Sequence, residues 1–322
     1  MKRAIALVLK KKTVKKNFSI VIAGPTAVGK TAAAILVAQS LKTEILSADS
    51  RQCYRELSIG VARPDEQELA AVPHHFVASH SILEDWNAAR YASYGMEVLR
   101  QIFTDHDTAV IVGGTGLYIK ALTEGLDDVP TVDPVIRQSI QLEYEQKGMP
   151  WLQQMIQEND PLYYSTGEIQ NPHRLLRALE VVLSTGRSIR SFQTGQVKPR
   201  FFQTVKIALE LPRQELVVRI DKRVDQMMEA GLLEEVKSVQ AVLDQKGKSW
   251  KTITSLQTVG YKELFMYLEG ELSLDEAVEK IKQHTRQYAK RQMTWFKKDT
   301  AFQWFHPSDR EGMLNFIQKQ IS

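Results

Sequence analysis

The stretch GPTAVGKT, from Gly24 to Thr31, has the residue types and spacing of a loop that binds phosphate groups. Its glycines can turn backbone N–H groups inward towards an anion. Lys30 adds a positive charge, and the Thr31 hydroxyl is a suitable ligand for Mg²⁺. The pattern predicts a phosphate site without saying which phosphate compound is bound. The candidate phosphate-binding residues are Gly24, Pro25, Thr26, Ala27, Val28, Gly29, Lys30 and Thr31.

Two further residues are expected at the same edge of a sheet as this loop. The apolar run TEILSADS delivers Asp49 near its end, and the run TAVIVGGTG ends in glycines around Thr115. Ligands of open α/β sheets lie outside the carboxyl ends of the strands, so Asp49, Thr115 and the loop should share one crevice. Asp49 could hold a metal ion, or it could accept a proton from an amine while a bond to that nitrogen forms. Its position alone leaves both roles open.

The glycines of the second run weigh against a nucleotide-hydrolysing enzyme or a kinase. Such enzymes are expected to carry an acidic residue at the end of an apolar strand, but this strand ends in Gly113 and Gly114. The alternative is a diphosphate that leaves from carbon. Lys30 and Mg²⁺ would then stabilise the departing charge while Asp49 accepts a proton. A kinase of a small metabolite, and a non-catalytic RNA-binding module that uses nucleotide as a switch, stay as rival hypotheses.

Strands that alternate with helices predict an α/β protein, with a P-loop NTPase-like three-layer core around a parallel sheet. The run FSIVIAG is apolar throughout, which is typical of a strand buried on both faces. The predicted strands are Phe18–Gly24, Thr43–Ser50, Thr108–Gly116, Phe202–Leu211 and Ala301–Phe305. The predicted helices are Lys30–Leu41, Asn87–Phe103, Glu215–Ala230, Leu232–Leu243, Tyr261–Tyr267 and Leu274–Lys298.

A change of pattern along the chain predicts its domains. Residues 127–196 show helical patterns and turn signals without a buried strand, so we expect them to form a helical insertion domain. Residues 18–126 and 197–322 then form the α/β core domain. Residues 1–17 are rich in lysine and are interpreted as a basic N-terminal extension.

Composition limits the class of protein and its surroundings. Of the 322 residues, 43% are hydrophobic and 25% charged, and no apolar run approaches the roughly 20 residues that span a bilayer. The single cysteine, Cys53, excludes an internal disulfide and a thiolate zinc site, and it fits a reducing, cytoplasmic location. The net charge of +4 is too small to indicate a nucleic-acid-binding protein by itself.

The last long helix carries the charge pattern most relevant to a polyanion. Three basic residues recur four apart, and apolar or aromatic residues recur seven apart on another face. We therefore expect one side to pack and the basic side to stay exposed, as a track for a phosphate backbone. The basic residues are Lys282, Arg286 and Lys290, with Arg291 and Lys298 close by, and the packing residues are Ile281, Tyr288 and Trp295.

Eight motifs, in their order along the chain, resemble those of tRNA dimethylallyltransferases, and the resemblance runs from about residue 18 to residue 305. One such motif would be weak support, but eight in sequence are highly specific. The resemblance implies transfer of the dimethylallyl group from dimethylallyl diphosphate to N6 of the adenine at tRNA position 37, with release of diphosphate. The motifs are GPTAVGKT, SADSRQCYRELSIGVARP, PHHF, VGGTGLYIKAL, NPHRLLRALEV, RIDKRVDQM, TVGYKEL and QYAKRQMTWF.

The resemblance also implies roles for individual residues. Asp49 matches the general base for N6, and Thr115 matches a catalytic position beside the reacting centre. Arg223 matches an arginine that clamps the diphosphate, with Arg219 as a rival. The matched tRNA-contacting residues are Asp49, Ser50, Arg51, Gln52, Thr115, Arg137, His173, Arg174, Leu175, Leu176 and Arg177.

The implied partners are dimethylallyl diphosphate, the anticodon stem-loop of tRNA, and Mg²⁺ ligated by Thr31. The insertion at 127–196 is then the tRNA-binding domain, and a monomer without contact to a membrane is expected. With one cysteine, the zinc finger of eukaryotic members is absent, which points to the bacterial type. The nearest rival is an adenylate isopentenyltransferase, which uses the same donor with a free nucleotide. The insertion and the basic helix weigh against that rival.

Overall fold

The computed structural model describes residues 16–322, so the basic extension predicted at 1–17 lies, except for its last two residues, outside the described residues. The described chain forms two compact units. The first contains the residues up to Glu124 together with Arg200–Ser322, and the second is Gly125–Pro199. The second unit therefore begins two residues before, and ends three residues after, the insertion predicted at 127–196.

The first unit is built around one sheet. Its strands are β1 (Phe18–Ala23), β2 (Ile45–Ser47), β3 (His74–His75), β4 (Thr108–Gly113), β5 (Gln203–Leu209) and β6 (Gln303–Phe305). They lie in the order β3-β2-β4-β1-β5-β6, and every neighbouring pair is parallel. The predicted α/β class with a parallel sheet is confirmed, and β3 is a strand that has no counterpart among the predicted ones.

Strand β1 lies inside the sheet and brings the chain to the phosphate loop. Its residues are buried, as the continuous apolar run predicts. Ile20 and Ile22 belong to a core cluster with helix residues such as Val37 and Met313. Val21 points to the other face of the sheet and is also fully buried, so both faces are covered.

Helices connect and cover the strands. The structure has α1 (Lys30–Leu41), α2 (Glu66–Ala71), α3 (Ala88–Asp105), α4 (Gly116–Thr123), α5 (Pro134–Asn159), α6 (Pro161–Thr166), α7 (Pro172–Thr185), α8 (Arg213–Glu229), α9 (Leu232–Gln245), α10 (Tyr261–Leu268), α11 (Leu274–Phe296) and α12 (Arg310–Ile321). Short 3₁₀ turns lie at Ile189–Phe192, Trp250–Thr252 and Thr254–Leu256. Among residues 16–322, no helix combines the length and apolar character needed to cross a membrane.

Helix α12 is the longest element of the first unit that was not predicted from the sequence. It buries Met313 and Ile317 completely in the same core cluster as β1 and α1. Partly buried Phe316 packs its ring against Phe305 of β6, with the ring centroids 5.7 Å apart. The helix therefore covers the β5 and β6 side of the sheet.

The second unit consists of α5, α6, α7 and a 3₁₀ turn. Helix α5 is kinked where Gly148 takes a φ of 71°, two residues before Pro150. The kink lets both halves of α5 contribute to one apolar core, since Ile140 precedes it and Ile156 follows it. Leu179 of α7 is fully buried in that core. The unit thus has a hydrophobic core of its own.

Candidate functional site

The phosphate loop joins β1 to α1 and can be made only with glycine at two points. Gly24 has a φ of 143°, and a Cβ atom there would lie 2.7 Å from the carbonyl oxygen of Leu209 in β5. Gly29 has a φ of 102° and occupies the N-terminal cap of α1. Side chains at these positions would push the loop away from the sheet or strain it. The loop therefore holds the N-terminus of α1 open towards an anion.

Lys30 lies half-buried at the base of this loop. Its Nζ atom donates a hydrogen bond to the carbonyl oxygen of Pro25 at 2.7 Å. Burial lowers the pKa of Lys30 to about 8; the negative charge of Asp49 opposes this shift, and the positive charge of Arg223 adds to it. An anion in the loop would stabilise the charged ammonium, so the site is prepared electrostatically for a phosphate group.

The structure brings the predicted base and the predicted phosphate loop into one cavity. Lys30, Thr31, Asp49 and Arg223 all line a cavity of about 730 Å³ outside the carboxyl ends of the strands. Ser50, which lines the same cavity, donates its backbone N–H to the Thr115 hydroxyl at 3.1 Å. The crevice that the sequence predicts is therefore present, and Thr115 adjoins its wall.

The carboxylate of Asp49 is held in a fixed orientation by the backbone that follows it. Its Oδ1 atom accepts hydrogen bonds from the N–H groups of Arg51 at 2.8 Å and Gln52 at 3.2 Å. This is the turn that an aspartate forms with its own downstream backbone. Because both donors engage Oδ1, the other carboxylate oxygen is the one oriented for a substrate or a metal ion.

The two arginines of α8 that compete for the diphosphate differ in their surroundings. Arg219 and Arg223 both line the cavity. Arg219 pairs with Glu215 of its own helix at 2.8 Å. The pKa of Arg223 is lowered by burial, while the negative charge of Asp49 acts against this shift. The charge of Arg223 thus belongs to the group formed with Lys30 and Asp49, which favours Arg223 as the clamp.

Tyr288 of α11 lines the cavity, whereas the sequence predicted only that it packs against the rest of the protein. It is half-buried and lines the cavity near Asp49 and Thr115. Burial, and then the charge of Asp49, raise the pKa of Tyr288 to about 12, while a hydrogen bond with the Thr115 side chain opposes the rise. The hydroxyl therefore stays protonated and extends the polar wall around Thr115.

One wall of the cavity is fixed by a carboxylate with no local sequence signal. Glu235 of α9 accepts hydrogen bonds from the backbone N–H groups of Ser58 at 3.0 Å, Ile59 at 2.8 Å and Gly60 at 3.1 Å, and from the hydroxyl group of Tyr261 in α10. These donors belong to the segment that leads into the cavity lining at residues 60–62. The segment is thereby tied to α9 and α10.

The same wall is joined by Gln52 to the turn that begins at Asp49. Its side-chain amide donates hydrogen bonds to the carbonyl oxygens of Val61 at 3.2 Å and Ala62 at 2.9 Å. Gln52 was assigned as a tRNA-contacting residue from the resemblance. In the structure its amide nitrogen braces the wall, and its backbone N–H helps to orient Asp49.

The exposed basic side predicted for the last long helix is wrong for two of its three residues. Lys282 of α11 pairs with Asp225 of α8 at 2.7 Å, and Arg286 pairs with Asp221 at 2.6 Å. The acidic residues of α8 attract this side of α11, so it packs instead of facing solvent. Lys290 is exposed, as predicted. A continuous phosphate track along α11 is therefore not present.

In the second unit, the predicted tRNA-contacting residues separate into exposed and buried ones. His173 and Arg174 of α7 are exposed. Arg177 of α7 and Arg137 of α5 both pair with Glu180, at 3.3 Å and 3.2 Å, which joins two guanidinium groups at one carboxylate. One correction follows from α7 packing, because Leu175 is fully buried in the core of the unit and offers no side chain to an RNA. Leu176 is only partly buried against that core, so its contact with tRNA stays a prediction.

A divalent metal ion at this site would depend largely on the phosphates of a ligand. Across residues 16–322, no group of three or more His, Cys, Asp or Glu side chains is placed to hold a metal ion. The Thr31 hydroxyl and the Asp49 carboxylate line the cavity as oxygen donors. Mg²⁺ commonly binds through one or two protein oxygens and substrate phosphates, so these donors fit it.

The free thiol is not part of this chemistry. Cys53 is fully buried, and burial followed by the charge of Asp49 raises its pKa to about 12. A thiol with such a pKa is protonated at neutral pH and is a poor nucleophile. Cys53 is therefore a small packed side chain of the core.

Known proteins resemble this chain over most of its length. The family model for IPP transferases matches residues 52–299. The tRNA dimethylallyltransferase 1 of Bacteroides thetaiotaomicron is 45% identical over 301 residues, covering 94% of this chain and 95% of that protein. The tRNA dimethylallyltransferase of Cytophaga hutchinsonii is 42% identical over 305 residues, covering 95% and 98%. The crystal structure of the full-length tRNA isopentenylpyrophosphate transferase from Bacillus halodurans matches with a TM-score of 0.68 and 32% identity, covering 94% and 96%.

The lowered pKa of Lys30 predicts how anion binding responds to pH. Lys30 is charged below its pKa of about 8, so the affinity for inorganic diphosphate should fall as the pH rises through this value. The Lys30→Arg variant keeps its positive charge throughout the pH range. Its affinity therefore changes only because diphosphate itself titrates, and it serves as the reference. Calorimetric titrations from about pH 7 to about pH 9.5 should give a falling ratio of wild-type to variant affinity. A ratio independent of pH would contradict the conclusion that Lys30 has a lowered pKa and binds the anion.

Proposed function

The chain belongs to the IPP transferase family, and on that basis we propose that it transfers a dimethylallyl group from dimethylallyl diphosphate to N6 of an adenosine in tRNA, releasing diphosphate. The observation that carries the proposal is that Lys30 of the phosphate loop and the oriented carboxylate of Asp49 line one cavity. A leaving diphosphate and an attacking amine need groups of these two kinds at the two ends of the reacting bond.

Different residues of the chain act on the leaving group and on the nucleophile. The exocyclic nitrogen forms a bond to the allylic carbon, the bond from that carbon to the diphosphate oxygen breaks, and the nitrogen loses a proton to Asp49. Lys30 and Arg223 stabilise the charge on the departing diphosphate. Mg²⁺, held by Thr31 and the diphosphate, would supply further charge neutralisation when bound. The N–H groups of Arg51 and Gln52 keep the Asp49 carboxylate oriented throughout.

The acceptor that we propose is adenosine 37 in the anticodon stem-loop. This base must leave its stack to reach Asp49, at a cost of about a few kcal/mol that is least for an unpaired base. The second unit supports an RNA acceptor because it presents Arg174, Arg137 and Arg177 at its surface. Its role as the tRNA-binding domain is part of the proposal, and the monomeric state and cytoplasmic location stay predictions.

The packing around β4 gives a physical reason why a kinase mechanism is the weaker hypothesis. A Cβ atom at Gly113 would lie 2.3 Å from the carbonyl oxygen of Ala48, and one at Gly114 would lie 2.1 Å from the side chain of Gln292. At Gly113 the conflict is with backbone atoms, so this position has no space for the acidic side chain that a nucleotide-hydrolysing site places at the end of this strand. The site lacks that carboxylate because the backbone there is in direct contact with neighbouring elements.

The proposed acceptor can be tested against its rivals in one set of reactions. The protein is incubated with Mg²⁺, radiolabelled dimethylallyl diphosphate and either an anticodon stem-loop containing adenosine 37 or AMP, and ATP hydrolysis is followed in parallel. We expect label in the stem-loop and none in AMP. A stem-loop with guanosine at position 37 is the control. Label in AMP alone would indicate an adenylate isopentenyltransferase, and ATP turnover without label transfer would contradict the proposal.

Removal of the proposed base should affect the chemical step and not RNA binding. Asp49→Asn keeps the size of the side chain but accepts no proton, so the single-turnover rate should fall about 10²- to 10⁴-fold. The dissociation constant of the stem-loop, measured by filter binding, should change by less than about threefold. Asp105→Asn, an exposed change at the end of α3, is the matched control. Weakened RNA binding with a normal rate for the bound complex would overturn the assignment.

A further inference from the structure

Gln292 of α11 joins the two segments on which the proposed reaction depends. Its Oε1 atom accepts a hydrogen bond from the backbone N–H of Thr26 in the phosphate loop at 2.9 Å. Its Nε2 atom donates to the carbonyl oxygen of Gly114 at 3.0 Å, one residue before Thr115. The side chain is buried, with 5% of its surface exposed. One amide thus spans the gap between the donor loop and the turn beside the base.

The turn that carries Thr115 packs closely against α11. A Cβ atom at Gly114 would lie 2.1 Å from Nε2 of Gln292, and one at Gly116 would lie 2.1 Å from the indole nitrogen of Trp295. Helix α11 therefore packs closely against this turn on both sides of Thr115.

A side-chain amide makes both bonds without depending on its protonation state. The Thr26 N–H requires an acceptor and the Gly114 carbonyl requires a donor, and a glutamine side chain supplies one of each. An ionised glutamate would satisfy Thr26 but place an oxygen against the carbonyl of Gly114. A methionine of similar length would leave both backbone groups buried without these bonds, at a cost of about 1–3 kcal/mol each.

We infer that Gln292 is a positioning residue for the transfer reaction, and this inference rests on the proposed function. Gln292 acts through the Thr26 backbone on the leaving-group side. On the acceptor side it acts through Gly114 and Thr115, whose hydroxyl accepts the N–H of Ser50 beside Asp49. It fixes the distance between the bound diphosphate and the base without contacting the reacting atoms. A displacement of about 1 Å between such groups can cost about 10²-fold in rate.

The test separates the chemical step from the binding of each substrate. Q292M removes both bonds, and Q292E removes the donor to Gly114 only. We expect single-turnover rates, with both substrates saturating, to fall about 10- to 100-fold in Q292M and less in Q292E. The dissociation constants of inorganic diphosphate and of the stem-loop should each stay within about threefold of wild type. Q283M and Q283E, at an exposed position on α11, are the matched controls.

The pH dependence of the Q292E rate distinguishes a positioning role of Gln292 from a purely structural one. Burial raises the pKa of a carboxyl group, so a glutamate at this position takes up a proton as the pH falls from about 8 to about 6. The protonated carboxyl can again donate to Gly114. The ratio of the Q292E rate to the wild-type rate should therefore rise as the pH falls.

Two results would overturn the inference, and both differ from a failure of the proposed function. The first is a wild-type rate in Q292M, or in Q292E alone if Q292M does not fold. The second is a fall in rate that weaker binding of diphosphate or of the stem-loop explains fully, together with a ratio of the Q292E rate to the wild-type rate that does not depend on pH. If wild-type protein transferred no label to the stem-loop, the proposed function itself would fail.

Discussion

A lysine ammonium withdrawn from water is the feature on which the rest of the site depends. Lys30 donates to the Pro25 carbonyl, and its burial lowers its pKa to about 8. The folded protein thus carries a charge that an anion in the loop would stabilise. Gly24 and Gly29 make this arrangement possible because they let the loop run against β5 and then start α1. The predicted preference for a phosphate group rests on this arrangement.

The Asp49 side of the cavity depends on contacts between elements that are far apart in the chain. Asp49 is oriented by its own turn, but that turn is braced by Gln52 against the wall at residues 61–62. Glu235 ties the same wall to α9, and Gln292 ties the phosphate loop to the turn after β4. The distance between the proposed base and the phosphate loop is therefore a property of the packed unit and not of any single motif.

The sequence predicted the parts of this site whose signals are local. The phosphate loop follows an apolar strand directly, so Lys30 and the sheet could be inferred from adjacent residues. The exposure of Arg286 on the basic side of α11 was predicted wrongly because Asp221, its ion-pair partner on α8, lies far away in the chain. Glu235 has no local signal, since its donors come from other segments. Leu175 was misassigned because a motif match identifies a segment and not the direction of each side chain.

The claim that the loop and the base share one electrostatic site can be tested by titrating Lys30 directly. Lysine labelled at Nζ with ¹⁵N would give its pKa by NMR in the wild-type protein and in the Asp49→Asn variant, with Lys30→Arg to assign the signal. The charge of Asp49 raises the pKa of Lys30, so its removal should move the midpoint below the wild-type value of about 8. An unchanged midpoint would contradict the account, because the two groups would then not interact across one cavity.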